Sequence, residues 1–124
     1  MRTILSVDEK DGSMTFAGEL PEGAKVQLMR AHFDRLINGA GNAALMTSES
    51  VKDAQLGILI SCVGRRLILG PRTEEEVEKV KEILGPQAKI TGFYSYGEIS
   101  PVLKGTACSL HNQTMTITTF KEKK

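Results

Sequence analysis

The stretch Gln55-Leu-Gly-Ile-Leu-Ile-Ser-Cys62 is almost wholly apolar. Its length suits a β-strand and falls far short of the roughly 20 residues that a membrane-spanning helix needs. A strand without alternation of polar and apolar residues is typical of a position covered on both faces of a sheet. We therefore predict that residues 55–62 form the central strand of the domain.

An amphipathic helix is predicted on the amino-terminal side of this strand. Apolar residues recur there at three- and four-residue steps from Phe33 to about Thr47, which defines one apolar stripe. Gly39 and Gly41 weaken such a helix by about 1 kcal/mol each relative to Ala. We expect both glycines to permit close packing against the sheet.

A second helix is predicted on the carboxy-terminal side. Thr73 is expected to cap it, with Glu76 three residues further on, and Gly85-Pro86 is expected to end it. Its apolar face consists of Val77, Val80, Ile83 and Leu84. Residues 63–70, between strand and helix, fit either a strand or a helical turn.

The remaining pattern predicts further β structure. Residues 2–7 and 14–16 fit a hairpin, residues 25–30 alternate as a third strand, and residues 88–96 and 114–119 fit later strands. In the last strand the residues expected to face the core are Met115 and Ile117.

These elements predict one domain over residues 1–124, with Lys121 to Lys124 as a solvated tail. The fold class expected is α/β (α+β), in which a two-layer, mixed and largely antiparallel sheet is covered by two main helices. A chain of 124 residues can bury one hydrophobic core.

Composition restricts the partners and the compartment. Sixteen Lys and Arg nearly balance fifteen Asp and Glu, so the charge predicts neither nucleic acid nor a membrane surface as a partner. Cys62 and Cys108 lie far apart in apolar or strand-like stretches, which suits reduced thiols. A cytoplasmic location is therefore expected.

Sequence motifs for catalysis are not found. Residues 39–44 match the loose dinucleotide-binding pattern, but these glycines lie inside the predicted helix and not directly after a strand. A pair of Cys62 and His111 is the enzymatic alternative, and a buried structural cysteine is the favoured interpretation. We expect no enzymatic activity, no metal and no cofactor.

Two polar clusters stand out instead. Tyr94, Tyr96 and Glu98 lie at the end of a predicted strand, and residues 110–114 place a row of hydrogen-bonding side chains before the last one. Polar groups at this density are costly to bury unless they bond to each other or to a ligand. Two interpretations stay open: the clusters stabilise turns, or they line a pocket.

Four stretches of the sequence are distinctive together: Leu20-Pro-Glu-Gly23 with Leu28-Met-Arg-Ala31, Ser61-Cys-Val-Gly-Arg-Arg-Leu67, Gly92-Phe-Tyr-Ser-Tyr-Gly-Glu98 and Leu110-His-Asn-Gln-Thr-Met-Thr116. At these residues the sequence resembles a known family, the carboxy-terminal half of FIST domains (F-box and intracellular signal transduction). The resemblance implies a cytoplasmic, bacterial sensory module for a small ligand, with amino acids suggested. Its implied partners are an amino-terminal FIST half or an output signalling domain.

We predict that the two clusters meet over one pocket if their strands are neighbours. The residues expected to contact a small polar ligand are Arg65, Tyr94, Tyr96, Glu98, His111, Asn112 and Thr114. Glu98 would accept a hydrogen bond from an amine or a hydroxyl of that ligand.

Other functions stay open from the sequence. The first is a protein-interaction module of a signalling protein, and the second is a haem-based gas sensor that uses His32 or His111. A chain separated from an amino-terminal half would also expose apolar surface, which predicts a homodimer.

Overall fold

The computed structural model describes residues 1–101 and 105–123. The strands are β1 (Ile4–Asp8), β2 (Ser13–Phe16), β3 (Leu56–Cys62), β4 (Lys89–Ser95), β5 (Glu98–Pro101), β6 (Cys108–His111) and β7 (Met115–Phe120). The helices are α1 (Phe33–Ser50), α2 (Val63–Leu69) and α3 (Thr73–Leu84), with a 3₁₀ turn at Gly70–Arg72. Within this part of the chain no helix is long and apolar enough to cross a membrane.

The central sheet has the strand order β4-β3-β7. In it β3 runs parallel to β4, with Leu59 opposite Gly92, and antiparallel to β7, with Leu59 opposite Ile117. Two antiparallel hairpins, β1–β2 and β5–β6, complete the β structure. The fold is mixed α+β, which confirms the predicted fold class and the central position of β3.

Helices α1 and α3 pack against one face of this sheet. The buried residues of the resulting core are Ala40, Ala44, Leu59, Val80, Leu84, Ala88 and Met115. The helices approach closely at Gly41, where an added Cβ would lie 3.1 Å from Lys79 Cγ and 3.2 Å from Ile83 Cδ1. Gly41 therefore permits close packing against α3, whereas packing against the sheet was expected. Gly39 has open space around it, so the predicted role is wrong for both glycines.

The opposite face of the sheet is apolar and open. It carries Ile58 and Ile60 of β3 and, in register with Ile60, Phe93 of β4. Phe93 is 62% exposed, whereas the two isoleucines are half-buried. The prediction that β3 is covered on both faces is therefore wrong within the described residues. Helices cover the side that bears Leu59, and burial alternates along β3 as a result.

Residues 63–70, which fitted either a strand or a helical turn, form α2 and enter the 3₁₀ turn. The third helix starts at Thr73, so Thr73 does not cap it as predicted. Its hydroxyl instead donates to the Gly70 carbonyl oxygen at 2.6 Å. The predicted capping partner, Glu76, is fully buried. Gly85, with φ of +84°, ends the helix as expected.

Residues 17–32 lack strands, and the third strand predicted at residues 25–30 is wrong. Val26 and Leu28 alternate with polar residues as in a strand, but no described strand lies beside them to supply hydrogen bonds. Conversely, the sequence did not predict the β5–β6 hairpin. Its strands have only four residues each, too short to show a clear period.

The end of the chain contacts the body of the domain. Lys121 Nζ lies 3.1 Å from the Lys52 carbonyl oxygen and 3.4 Å from Asp53 Oδ2. The backbone N–H of Glu122 donates to Gln55 Oε1 at 2.8 Å. Within the predicted tail, Lys124 lies outside the described residues.

Gly92→Ala is expected to lower the free energy of unfolding by about 3 kcal/mol, the upper end of the usual cost of overpacking. The added Cβ would lie 1.8 Å from the Leu59 carbonyl oxygen on the paired strand. The control is Gly39→Ala, which should raise the free energy of unfolding by up to about 1 kcal/mol because its surroundings are open. Urea unfolding measures both, and equal effects would contradict the β3–β4 pairing.

Candidate functional site

A buried ion pair between Arg65 and Glu76 lies where β3 ends. Helix α2 begins at the residue after β3, so Arg65 is held close to the end of the strand. Its Nε and Nη2 atoms lie 2.9 and 2.8 Å from Glu76 Oε2. The side chains are 5% and 0% exposed, and mutual pairing is what makes two interior charges tolerable.

The other oxygen of Glu76 is satisfied from the sheet. Oε1 accepts hydrogen bonds from Ser61 Oγ of β3 and from the Tyr94 hydroxyl of β4, each at 3.1 Å. Burial, followed by the charge of Glu76, raises the pKa of Tyr94 to about 12. The phenol therefore stays protonated near neutral pH and acts as a donor to Glu76.

The remaining donors of Arg65 reach two further elements. Nη2 donates to the Leu36 carbonyl oxygen of α1 at 2.8 Å. Nη1 donates to the carbonyl oxygen of Gln113, in the β6–β7 turn, at a longer 3.4 Å. One guanidinium group thus connects α1, α2, α3 and the turn that precedes β7.

A second buried carboxylate, Glu98, lies at the start of β5. Ser95 Oγ donates to its Oε1 at 2.7 Å, and Thr114 Oγ1 donates to its Oε2 at 2.8 Å. Glu98 is paired with His111 in the β5–β6 register, so the strands bring the two polar clusters together. The His111 Nε2 atom lies 3.2 Å from the Ser100 carbonyl oxygen.

The start of the chain is attached to this second cluster. Asn112 is buried, and its Oδ1 accepts a hydrogen bond from the Thr3 backbone N–H at 3.2 Å. Arg2 Nη1 donates to the Leu110 carbonyl oxygen at 2.6 Å. These contacts hold the base of the β1–β2 hairpin beside the β6–β7 turn.

A cavity of about 1080 Å³ lies between the amino-terminal residues and the turn. The β1–β2 hairpin, residues 19–21 and 26–32, α1, α2, residues 109–111 and Gln113 contribute to its walls. Among the predicted ligand contacts, Arg65 and His111 line it. Those that do not line it are Tyr94, Tyr96, Glu98, Asn112 and Thr114. Tyr96 is 89% exposed, and the other four make the hydrogen bonds described above. The role of all seven as ligand contacts stays a prediction.

Gln113 is a residue of the cavity wall that the predicted site omitted. Its backbone has φ of +59°, a region that favours glycine. Its amide lies so close to Gly64 that a Cβ there would be 2.2 Å from Nε2. The buried Oε1 has no hydrogen-bond donor within the described part of the chain, which costs about 1–3 kcal/mol. Strain and an unpaired acceptor in one residue are typical of functional sites.

Residues 1–101 match the family model of the FIST C domain. The chain belongs to the FIST C domain family. The matched span runs from β1 to β5, and with it this FIST C domain falls in a family of signal-transduction sensory domains. Of the four similar stretches, residues 110–116 lie beyond the match. Searches among curated proteins and among solved structures found no match.

Glu76 could have been found from the sequence of this FIST C domain. It lies four residues before Val80 and eight before Leu84, on the face of α3 that is buried. A charge in an apolar stripe indicates a buried partner. Gln113 gives no comparable signal, because backbone strain is not visible in a sequence.

Metal chemistry receives no support from side-chain positions in this FIST C domain. No group of three or more His, Cys, Asp or Glu residues in the described ranges is arranged to hold a metal ion. The two histidines, His32 and His111, both line the cavity, and Cys62 and Cys108 are both free thiols.

Glu76→Gln is expected to lower the free energy of unfolding by about 3–5 kcal/mol, because it leaves the Arg65 charge buried without a counter-charge. Glu78→Gln, on the exposed face of the same helix, is the control and should change it by less than about 0.5 kcal/mol. Denaturant unfolding of both variants tests the difference. Similar losses in the two variants would refute a stabilising role for the pair.

Proposed function

We propose that this FIST C domain is a non-enzymatic sensory module of intracellular signal transduction that binds a small ligand in the cavity beside Arg65 and Gln113. The observation that supports it most is that Gln113 lines the cavity and has a buried Oε1 without a hydrogen-bond donor within the described residues. A ligand with an amine or a hydroxyl, such as an amino acid, would supply the missing donor once the Gln113 amide turns toward the cavity.

A route from the cavity to the rest of the domain supports a sensory role. Arg65 lines the cavity and is bonded to Glu76 of α3 and to the Leu36 carbonyl oxygen of α1. A ligand that favours one position of Arg65 would favour the matching positions of both helices. The proposed receivers are an amino-terminal FIST half or an output domain, in the cytoplasm.

Gln113→Gly is expected to weaken ligand binding about tenfold or more while leaving the melting temperature unchanged or higher. The substitution removes the acceptor and relieves the positive φ, and the side chain's hydrogen bond to Thr3 Oγ1 is long at 3.4 Å. A thermal-shift screen with free amino acids and small organic acids identifies a ligand, and calorimetry measures its affinity for both proteins.

A substitution that fills the cavity provides an independent test of ligand binding at this position. Ala31→Trp places a bulky side chain in the cavity wall and should abolish binding. Ala24→Trp, exposed in the same segment but outside the wall, is the matched control. Binding that survives Ala31→Trp unchanged would place the ligand elsewhere and reject the proposal.

A second candidate function, protein interaction, is favoured by the open face of the sheet. We propose that a second copy of the chain covers Ile58, Ile60 and Phe93. Lys89, at one corner, is the charged residue among the positions of β3, β4 and β7 that share this face. Two such faces can meet without strong like-charge repulsion, as a symmetric dimer requires.

Phe93→Glu is expected to convert a homodimer into a monomer, since it places a charge on the apolar face beside Ile60. Leu67→Glu is the control, because Leu67 is 78% exposed and lies on α2 instead of on a strand of the sheet. Multi-angle light scattering at high protein concentration measures the mass of each. A monomeric parent protein, or equal dissociation in both variants, would count against the second copy.

A further inference from the structure

The cavity has an apolar side formed by the amino-terminal residues. Ile4, Met14 and Phe16 of the hairpin line it together with Val26 and Leu28. The side chains of Val26 and Leu28 are 64% and 74% exposed. Apolar side chains left open around a cavity favour an occupant with apolar surface of its own.

The charged groups of the same cavity are mostly basic. They are Arg2, Glu19, Arg30, Arg35 and Arg65, with the histidines His32 and His111. Glu76 neutralises Arg65, whereas Arg30 and Arg35 form no ion pair within the described part of the chain. An adjoining cavity of about 710 Å³ is also lined by Arg30, Phe33 and Arg35, so these two arginines border both cavities.

We propose that the cavity selects an amphipathic anion, with an apolar body against the hairpin and residues 20–32 and a carboxylate-like head at Arg30 and Arg35. This inference rests on the proposed ligand-binding function and names the chemical class of its ligand. Arginine binds planar anions through two donors at once. A neutral head group forms weaker hydrogen bonds with arginine, and a cationic head group is repelled by it. The apolar walls explain why a compact inorganic anion would leave most of the cavity unfilled.

Three eight-carbon probes that all carry a 2-hydroxyl as donor for Gln113 separate the contributions: 2-hydroxyoctanoate, octane-1,2-diol and 1-aminooctan-2-ol. Calorimetry on the full chain is expected to show 2-hydroxyoctanoate bound about tenfold or more tightly than the diol, the scale of a charge-assisted hydrogen bond, and the ammonium probe bound most weakly. The preference for 2-hydroxyoctanoate over the diol should vanish in the double variant Arg30→Gln with Arg35→Gln. It should persist in Arg66→Gln, an exposed arginine outside the cavity.

The outcomes distinguish this inference from the function on which it rests. If Ala31→Trp blocks 2-hydroxyoctanoate and the diol alike but the parent binds both equally, ligand binding stands and anion selection is refuted. If Ala31→Trp leaves every probe bound as before, the cavity is not the site and both fail. Anionic head groups also occur on lipids, so binding to phosphatidylglycerol vesicles without binding of free 2-hydroxyoctanoate would overturn the proposed occupant.

Discussion

Arg65 and Glu76 place opposite charges in the interior of the domain, and most other contacts of the site follow from that. A buried charge without a partner is costly. The strand, the helices and the turn around the pair must therefore keep positions in which every donor of Arg65 and both oxygens of Glu76 are hydrogen-bonded. An apolar pair of similar size could fill the same volume, but it would set no direction. The directional bonds fix how α2 and α3 are rotated about their axes.

The amino-terminal residues are attached to the rest of the domain by fewer bonds than the ion pair forms. Their hairpin is joined to the β6–β7 turn at its base, through Thr3 and Arg2, while β1 itself is exposed along its length. A two-stranded hairpin alone is marginally stable in water. The cavity therefore has one wall held by the ion pair and an opposite wall held by few bonds. That asymmetry suits a site whose occupant contributes to ordering the weaker wall.

Much of the fold could be predicted from the sequence because the core elements are long and periodic. The stripes of α1 and α3 and the apolar run of β3 carry that information locally. The failures at residues 25–30 and at the β5–β6 hairpin have a different cause: strand formation depends on a partner that is distant in sequence. The clusters around Glu98 and His111 were predicted to converge through neighbouring strands at residues 88–96 and 114–119. β3 separates those strands, and the β5–β6 register brings the two clusters together instead. The cavity itself, with Gln113 in its wall, depends on how separate segments pack, which no local pattern encodes.

The direct junction between β3 and α2 has a mechanical consequence. Since α2 begins at Val63 directly after Cys62, the last residue of β3, no loop separates the first turn of the helix from the central strand. The other end of α2 meets Gly70, whose φ of +53° lies in the region that glycine adopts most readily. If α2 moves relative to α3, Gly70 is the residue between them best able to absorb a change of backbone angles, and Arg65 lies near the end of α2 that joins the sheet.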